Sequence, residues 1–286
     1  MPELPEVETI ARRLRIGEYP VPGLDGTAGA PGLTGWRVSQ LELLWARSLD
    51  RPSPDEFARR LVGQTLRVIG RRGKFIVLAF DPSTLLIHLR MSGDLRVESL
   101  SAPLQPHDRA WLAFAHGESQ PAWRLAFNDP RKFGRLWLVD DPQTVLGSLG
   151  PEPLDPAFSP EDFYRRLSAT SRQLKPLLLD QAFLAGLGNI YTDEALHLAR
   201  LHPLLPANRV TREQAASLLA AIRSVLEEGI RRNGASIDWV YRGGEFQNHF
   251  RAYQRTGQPC PACGTPIARI TVGQRGTHFC PTCQRL

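Results

Sequence analysis

Two sets of residues, one near each end of the chain, have types and spacing that could do chemistry. The chain opens Met1-Pro2-Glu3-Leu4-Pro5-Glu6. Removal of Met1, which a small second residue permits, would leave Pro2 as a secondary amine with a reference pKa near about 7.7–8.0, partly neutral at pH 7. Such an amine attacks a sugar C1′ or a carbonyl and gives an iminium ion, an electron sink for later eliminations. Glu3 is close enough in sequence to pass protons, as general acid–base work requires. The plainer alternative is that these glutamates only complement the dipole of a helix N-terminus.

The other end carries Cys260-x2-Cys263-x16-Cys280-x2-Cys283, which accounts for every cysteine in the chain. Two Cys-x2-Cys pairs at this spacing fit a tetrahedral four-cysteine zinc site brought together by a β-hairpin. The stretch from Ile267 to Val272 alternates as a strand, and Gly273-Gln274-Arg275-Gly276 reads as a turn. Four thiolates leave no open coordination position, so one structural Zn2+ is expected, and it is not the catalyst. Arg275 at the hairpin tip could reach a groove or a phosphate, or it could be a solvated turn residue.

Between these ends lie motifs suited to a nucleic acid. Gly186-Leu187-Gly188-Asn189-Ile190-Tyr191 precedes a helical stretch over 192–200, with Asn189 as its expected N-cap. A helix N-terminus behind glycines can bind phosphate, although a helix-turn-helix with no phosphate fits equally well. Asn128-Asp129-Pro130-Arg131-Lys132-Phe133-Gly134 joins basic residues to an aromatic in a turn, and Met91 precedes a Ser-Gly turn. Proteins that extrude a base push such apolar wedges and arginines into the vacated stack, whereas Phe and Met are more often core residues. Arg71-Arg72-Gly73-Lys74 offers cations at a loop edge, where a solvated basic turn is the default, and Lys175 before Pro176 is a weaker phosphate candidate, where an exposed lysine is the default. The histidines show no metal or triad spacing.

The elements that must position these residues follow from pattern. Val7, Ile10 and Leu14 set a helical stripe from Pro5 to Arg15. A Gly/Pro-rich segment over 16–35 reads as a surface loop. Strand-like runs at 66–69, 75–80, 85–89, 111–114, 123–127 and 136–139 suggest antiparallel sheets. A Pro/Asp/Gly-rich linker over 140–156 leads to helices. Ser159-Pro160-Glu161-Asp162 supplies an N-cap, and Thr211-x-x-Gln214 a capping box whose helix Asn233-Gly234 closes. The plan is an α+β multidomain chain: a β-rich domain over 1–139, the linker 140–156, a helical domain over 157–249 and a zinc tail over 250–286.

At 286 residues, with 42% hydrophobic and 22% charged residues, the chain is long enough for two cores and has the composition of a globular protein. Lys plus Arg exceed Asp plus Glu by 35 to 29, which favours a polyanionic partner without proving one. No apolar run of about 18 residues predicts a membrane span, and the acidic N-terminus lacks the layout of a secretory signal. A cytoplasmic protein is expected.

Together these motifs resemble the formamidopyrimidine-DNA glycosylase/endonuclease VIII family. The resemblance rests on Pro2-Glu3-Leu4-Pro5-Glu6-Val7-Glu8, Arg72-Gly73-Lys74, the segment from Asn128 to Gly134, the segment from Gly186 to Tyr191, and Gly276-Thr277-His278-Phe279-Cys280-Pro281. It covers nearly the whole chain, and the Glu-Leu-Pro-Glu opening looks like the formamidopyrimidine branch. It implies an N-terminal β-sandwich flanked by a helix, a helix-two-turn-helix domain and a zinc finger, in a monomer acting on double-stranded DNA. Such enzymes excise 8-oxoguanine and formamidopyrimidines and nick the strand by β,δ-elimination. By this resemblance Pro2, Glu3, Glu6 and Lys74 form the catalytic set: Pro2 attacks C1′, Glu3 moves protons and Glu6 supports it. Lys74, Asn189 and Arg275 hold phosphates, with Lys175 a further candidate. Met91, Arg131 and Phe133 fill the vacated stack.

Two departures stand out: the segment 16–35 is longer than the family usually has, and the stretch from Asn233 to Tyr253 is shorter. The second is where a loop would close over an extruded 8-oxoguanine, with Gly243-Gly244 as a possible hinge. The expectation is that ring-opened purines are handled at least as well as 8-oxoguanine. Two other functions fit parts of the chain. A non-catalytic DNA-binding protein of this fold would lack Pro2 or Glu3, and a tautomerase with an N-terminal proline would need no zinc tail.

Overall fold

A computed structural model of the chain describes residues 1–17, 29–236 and 243–286. Most of the Gly/Pro-rich segment expected at 16–35, and the centre of the shortened stretch, lie outside the described residues. The rest forms two compact units: Met1–Pro2 with Glu6–Gly147 and Ser236–Gly243, and Glu3–Pro5 with Ser148–Ala235 and Gly244–Leu286.

In the first unit, helix α1 (Leu4–Ile16) contributes Val7, Ile10, Ala11 and Leu14 to the core. Strands β1 (Arg37–Glu42), β2 (Leu49–Arg51), β3 (Val68–Arg72), β4 (Phe75–Ala79), β5 (Thr84–His88), β6 (Asp94–Ser99), β7 (Asp108–Ala115), β8 (Trp123–Asn128) and β9 (Arg135–Val139) form two sheets. One sheet has the order β1-β7-β8-β6 and the other β2-β9-β5-β4-β3. All pairings are antiparallel except β2 with β9. Val38, Leu95, Leu112, Phe114, Leu125 and Phe127 from one sheet share a core with Ile69, Ile76, Leu78, Leu85, Ile87 and Leu136 from the other, which makes a sandwich.

The six expected strands are present within a few residues of their expected ends, but β1, β2, β6 and helix α2 (Pro54–Leu61) are additional. In β1 a register shift between Val38 and Gln40 breaks the alternation that would reveal it. Helix α2 carries the same signal as Ser159-Pro160: Ser53 caps the Glu56 amide, Pro54 opens the helix, and Phe57 and Leu61 are buried. A short helix α3 (Gln143–Leu146) lies within the expected linker.

The second unit holds α4 (Pro160–Ser168), α5 (Leu174–Leu179), α6 (Asn189–Leu198), α7 (Arg212–Arg231) and the hairpin β10 (Ala268–Val272) with β11 (Arg275–Phe279). Both expected caps form as reciprocal capping boxes, Ser159 with Asp162 and Thr211 with Gln214. After α7 the chain turns through Asn233 and Gly234 at φ 56° and 80°. The Arg223 side chain pins the end of the expected linker by donating to the carbonyls of Pro153, Asp155 and Phe158. The chain at Gly244 passes close to the end of α7: a Cβ there would lie 2.5 Å from the Gly234 carbonyl oxygen. Its neighbours return to the end of α7, Glu245 N–H to Arg232 at 2.9 Å and Phe246 N–H to Gly234 at 3.0 Å.

Among the described residues no helix is long and apolar enough to cross a membrane.

Candidate active site and nucleic-acid interface

Helix α6 is buried from Ile190 through His197, including Asp193 and Glu194, so its polar groups must all find partners. Its first turn finds one far away in sequence. The Glu3 carboxylate, 3% exposed, accepts from the N–H groups of Gly188 at 2.8 Å, Ile190 at 3.0 Å and Tyr191 at 3.3 Å. These amides and the positive end of the helix dipole hold a carboxylate in one orientation, directly after Pro2 in the chain.

The Gly-x-Gly segment exists to admit this approach. At Gly186, φ is +96° and a Cβ would lie 2.6 Å from a Leu4 methyl carbon; at Gly188 a Cβ would lie 2.3 Å from the Glu3 carboxyl carbon. The expectation of Asn189 as N-cap is therefore corrected. Gly188 occupies the cap position, Glu3 supplies the capping oxygens, and Asn189 is the first helical residue. The Asn189 side chain instead donates Nδ2–H to the Gly276 carbonyl at 3.0 Å, and its Oδ1 is buried without a hydrogen-bond partner among the described residues.

Pro2, Glu6 and Lys74 are all buried, Glu6 in the first turn of α1 and Lys74 in the turn between β3 and β4 after Gly73 at φ +55°. The solvated basic turn expected at 71–74 is thus replaced by committed residues, for Arg71 donates to Glu8 at 3.1 Å. His88 is buried nearby; burial, followed by Arg90 and Lys74, pushes it down to about 3. In this neutral form its Nδ1 accepts the Arg90 N–H at 3.0 Å, which fixes the entry to the turn bearing Met91.

Asp129, 0% exposed, joins the two turns expected to carry wedge residues. One carboxylate oxygen accepts from the Ser92 hydroxyl at 2.5 Å and the Arg131 N–H at 3.2 Å, the other from the Gly134 N–H at 2.7 Å. Ser92 follows Met91, so one buried carboxylate sets Met91, Arg131 and Phe133 together. Phe133 is 48% exposed and Met91 half-buried, so neither is an ordinary core residue. Arg131 lies over the Phe133 ring at 5.1 Å, and Lys132, at φ 61°, places its ammonium 4.0 Å from the Trp45 ring centre. Exposed cations beside an exposed aromatic form a surface fit for phosphates and an unstacked base step.

The zinc hairpin is tied to α6 by Asp193. One oxygen pairs with Lys175 Nζ at 2.5 Å; the other accepts from the His278 N–H at 2.9 Å and lies 3.1 Å from its Nδ1. Lys175 also donates to the Gly276 carbonyl at 3.1 Å. This corrects the expectation of Lys175 as a phosphate contact: its side chain is 0% exposed and its ammonium is spent inside the unit. Burial pulls it below the usual lysine range, with Asp193 and then Glu3 opposing. Arg275 is also displaced from its expected tip. The turn residues are Gly273 and Gln274, both with positive φ, and Arg275 opens β11 opposite Val272, where it is exposed.

The ligand atoms of Cys260, Cys263, Cys280 and Cys283 all lie within 4.8 Å of one another. The pairs Cys260–Cys283 and Cys263–Cys280 are 4.0 Å and 3.4 Å apart. Zinc–sulfur bonds of about 2.3 Å in a tetrahedron require sulfurs about 3.8 Å apart, so this donor set fits one Zn2+ with no position left for substrate.

Sequence reasoning passed over Asp129, Asp193, Glu194 and His197. Glu194 accepts the amides of Arg251, Ala252 and Tyr253 at 2.8, 2.9 and 2.8 Å, which fastens the lead-in to the zinc finger. Glu194 and His197 find their partners more than fifty residues away, Asp193 its partners at Lys175 and His278, and Asp129 joins its own turn to the distant Ser92, so no local spacing reveals these roles.

Comparison with known proteins gives matches along nearly the whole chain. The model of the formamidopyrimidine-DNA glycosylase N-terminal domain matches residues 1–136, that of the H2TH domain of the same enzymes 149–240, and that of the zinc finger found in FPG and IleRS 257–286. A formamidopyrimidine-DNA glycosylase of Chloroflexus aurantiacus is 45% identical over 99% of this chain and 98% of its own. One from a Roseiflexus species is 42% identical over the full length of both. Among solved structures, Lactococcus lactis Fpg (MutM) bound to DNA containing N7-benzyl-Fapy-dG is 34% identical, with a TM-score of 0.87 over 100% of both chains. A MutM complex with DNA containing carbocyclic 8-oxo-G has a TM-score of 0.85 at 35% identity, again over 100% of both chains.

Proposed function

The chain belongs to the formamidopyrimidine-DNA glycosylase family, and from that premise we propose that it is a base-excision-repair DNA glycosylase with abasic-site lyase activity. Its substrates are oxidised purines, 8-oxoguanine and formamidopyrimidines, in double-stranded DNA, and the abasic sites their removal leaves. The observation that carries this reading is the Glu3 carboxylate held by three amides at the start of α6, immediately after Pro2. A carboxylate so fixed beside a terminal amine is positioned for proton transfer as well as for capping.

After Met1 removal, the Pro2 nitrogen attacks C1′, the C1′–base bond breaks and the base leaves with a proton; the C1′–O4′ bond then opens, O4′ taking a proton, which leaves the iminium. The iminium at C1′ draws the C2′ proton away, and the 3′-phosphate departs; loss of the C4′ proton then expels the 5′-phosphate. Glu3 carries the sugar's protons, and Glu6, buried one helical turn later, supports it. Lys74, Asn189 and Arg275 hold the phosphates around the flipped nucleotide; Met91, Arg131 and Phe133 offset the cost of flipping, a few kcal/mol, by filling the gap. The four cysteines hold a structural Zn2+ that fixes the hairpin bearing Arg275 and takes no part in bond breaking. The enzyme works as a monomer in the cytoplasm, on nucleoid DNA.

A strand-nicking assay on duplexes with one 8-oxoguanine or one formamidopyrimidine opposite cytosine tests the reading. Ends bearing phosphate on both sides of a one-nucleotide gap are expected. Salt-sensitive binding without any base release would support the non-catalytic DNA-binding alternative.

A further inference from the structure

Helix α6 reaches the metal centre through a residue that its other roles do not use. We propose that His197 is a positioning residue for the zinc site: its Nε2–H donates to the Cys260 thiolate and slows zinc loss. This deepens the reading of the four cysteines as a zinc site.

His197 and Cys260 are both buried, with Nε2 3.3 Å from Sγ, within range for a hydrogen bond to sulfur. The tautomer follows from the other nitrogen. Nδ1 is buried with no hydrogen-bond partner among the described residues. A buried N–H without an acceptor costs more than a buried lone pair facing apolar atoms, so the proton belongs on Nε2, facing the sulfur.

A Zn2+ ion with four thiolates carries a net charge of minus two, and the donors around the sulfurs decide how readily a ligand dissociates. Backbone amides provide two of these donors, Ala262 N–H to Cys260 and Cys283 N–H to Cys280, each at 3.4 Å. His197 is a side-chain donor, and it comes from outside the knuckles. Its helix is fastened at the other end to Glu3 and in the middle, through Asp193 and Glu194, to His278 and Ala252, so the donor is set by a rigid element and not by the metal loops themselves.

The test uses the full-length protein with wild-type His197, His197→Phe and His197→Gln, after metal analysis of each. Zinc release to the chromogenic chelator 4-(2-pyridylazo)resorcinol should be about tenfold faster in the Phe variant and largely restored in the Gln variant, which keeps an N–H donor. In Co2+-substituted protein the thiolate-to-cobalt charge-transfer band should move to lower energy in the Phe variant and return in the Gln variant. Equal release and equal bands in all three proteins would overturn the proposal. So would faster release in both variants with no band shift, which would make His197 a packing residue. A wild-type protein that binds no zinc would overturn the zinc reading itself, a failure the metal analysis separates from the others.

Discussion

Gly188 stands so close to Glu3 that a Cβ on the glycine would lie 2.3 Å from the glutamate's carboxyl carbon, while the Gly188 N–H donates to that carboxylate at 2.8 Å. The proposed acid–base group and the cap of α6 are therefore one carboxylate. Gly188→Ala must push Glu3 off the helix end. A displacement on the order of 1 Å costs about a hundredfold in rate. Single-turnover base release should fall by that much while duplex binding stays within about threefold, read by fluorescence anisotropy.

Asp129→Ala would leave the Ser92 hydroxyl and the Arg131 and Gly134 amides without their acceptor. The loss should destabilise the protein by about 3 kcal/mol in urea melts. Both wedge turns would loosen, so excision from an intact duplex should suffer more than cleavage of an abasic site, which is cheaper to extrude. Equal loss on both substrates would contradict the wedge role.

Lys175 and Arg275 should separate cleanly. Arg275→Ala is expected to weaken DNA binding roughly tenfold and to lower the slope of log K against log salt by about one, the signature of a lost phosphate contact. Lys175→Met removes the cation paired with the buried Asp193 carboxylate, which keeps only part of its pairing through His278, and should cost about 3 kcal/mol of stability. Its salt slope should match the wild type. A reduced slope for Lys175→Met would return Lys175 to the DNA interface.

His88 makes stability pH-dependent. Its folded-state pKa is depressed from 6.5 to about 3, so between those values the unfolded chain binds more protons. The stabilisation is complete above pH 6.5 and is lost as pH falls toward 3, by about 3–5 kcal/mol in all. His88→Asn keeps an acceptor for the Arg90 amide without titrating, so its Tm should fall less than the wild type's between pH 6.5 and pH 4.

What the sequence makes legible is what is local. The cysteine pairs, the two capping boxes and the hairpin are each written within a few residues, and the structure keeps all of them. Ser53-Pro54 was equally legible as the start of α2. Strand β1 was not, because its bulge breaks the two-residue period. The site's supports are hidden for another reason: Asp193 serves Lys175 and His278, and Glu3 serves amides from 188 to 191, so their roles exist only once distant segments meet. Lys175 misleads in the same way, since a lysine before a proline gives no sign that folding will bury it.

The most direct test of the account is borohydride trapping on a duplex with one 8-oxoguanine opposite cytosine, followed by mass analysis of the N-terminal peptide. Protein whose intact mass shows Met1 removed should give a covalent adduct located on Pro2, and Pro2→Gly should lose most of it. An adduct on any other residue, or none from processed wild-type protein that still binds the duplex, would contradict the assignment of Pro2 as the nucleophile.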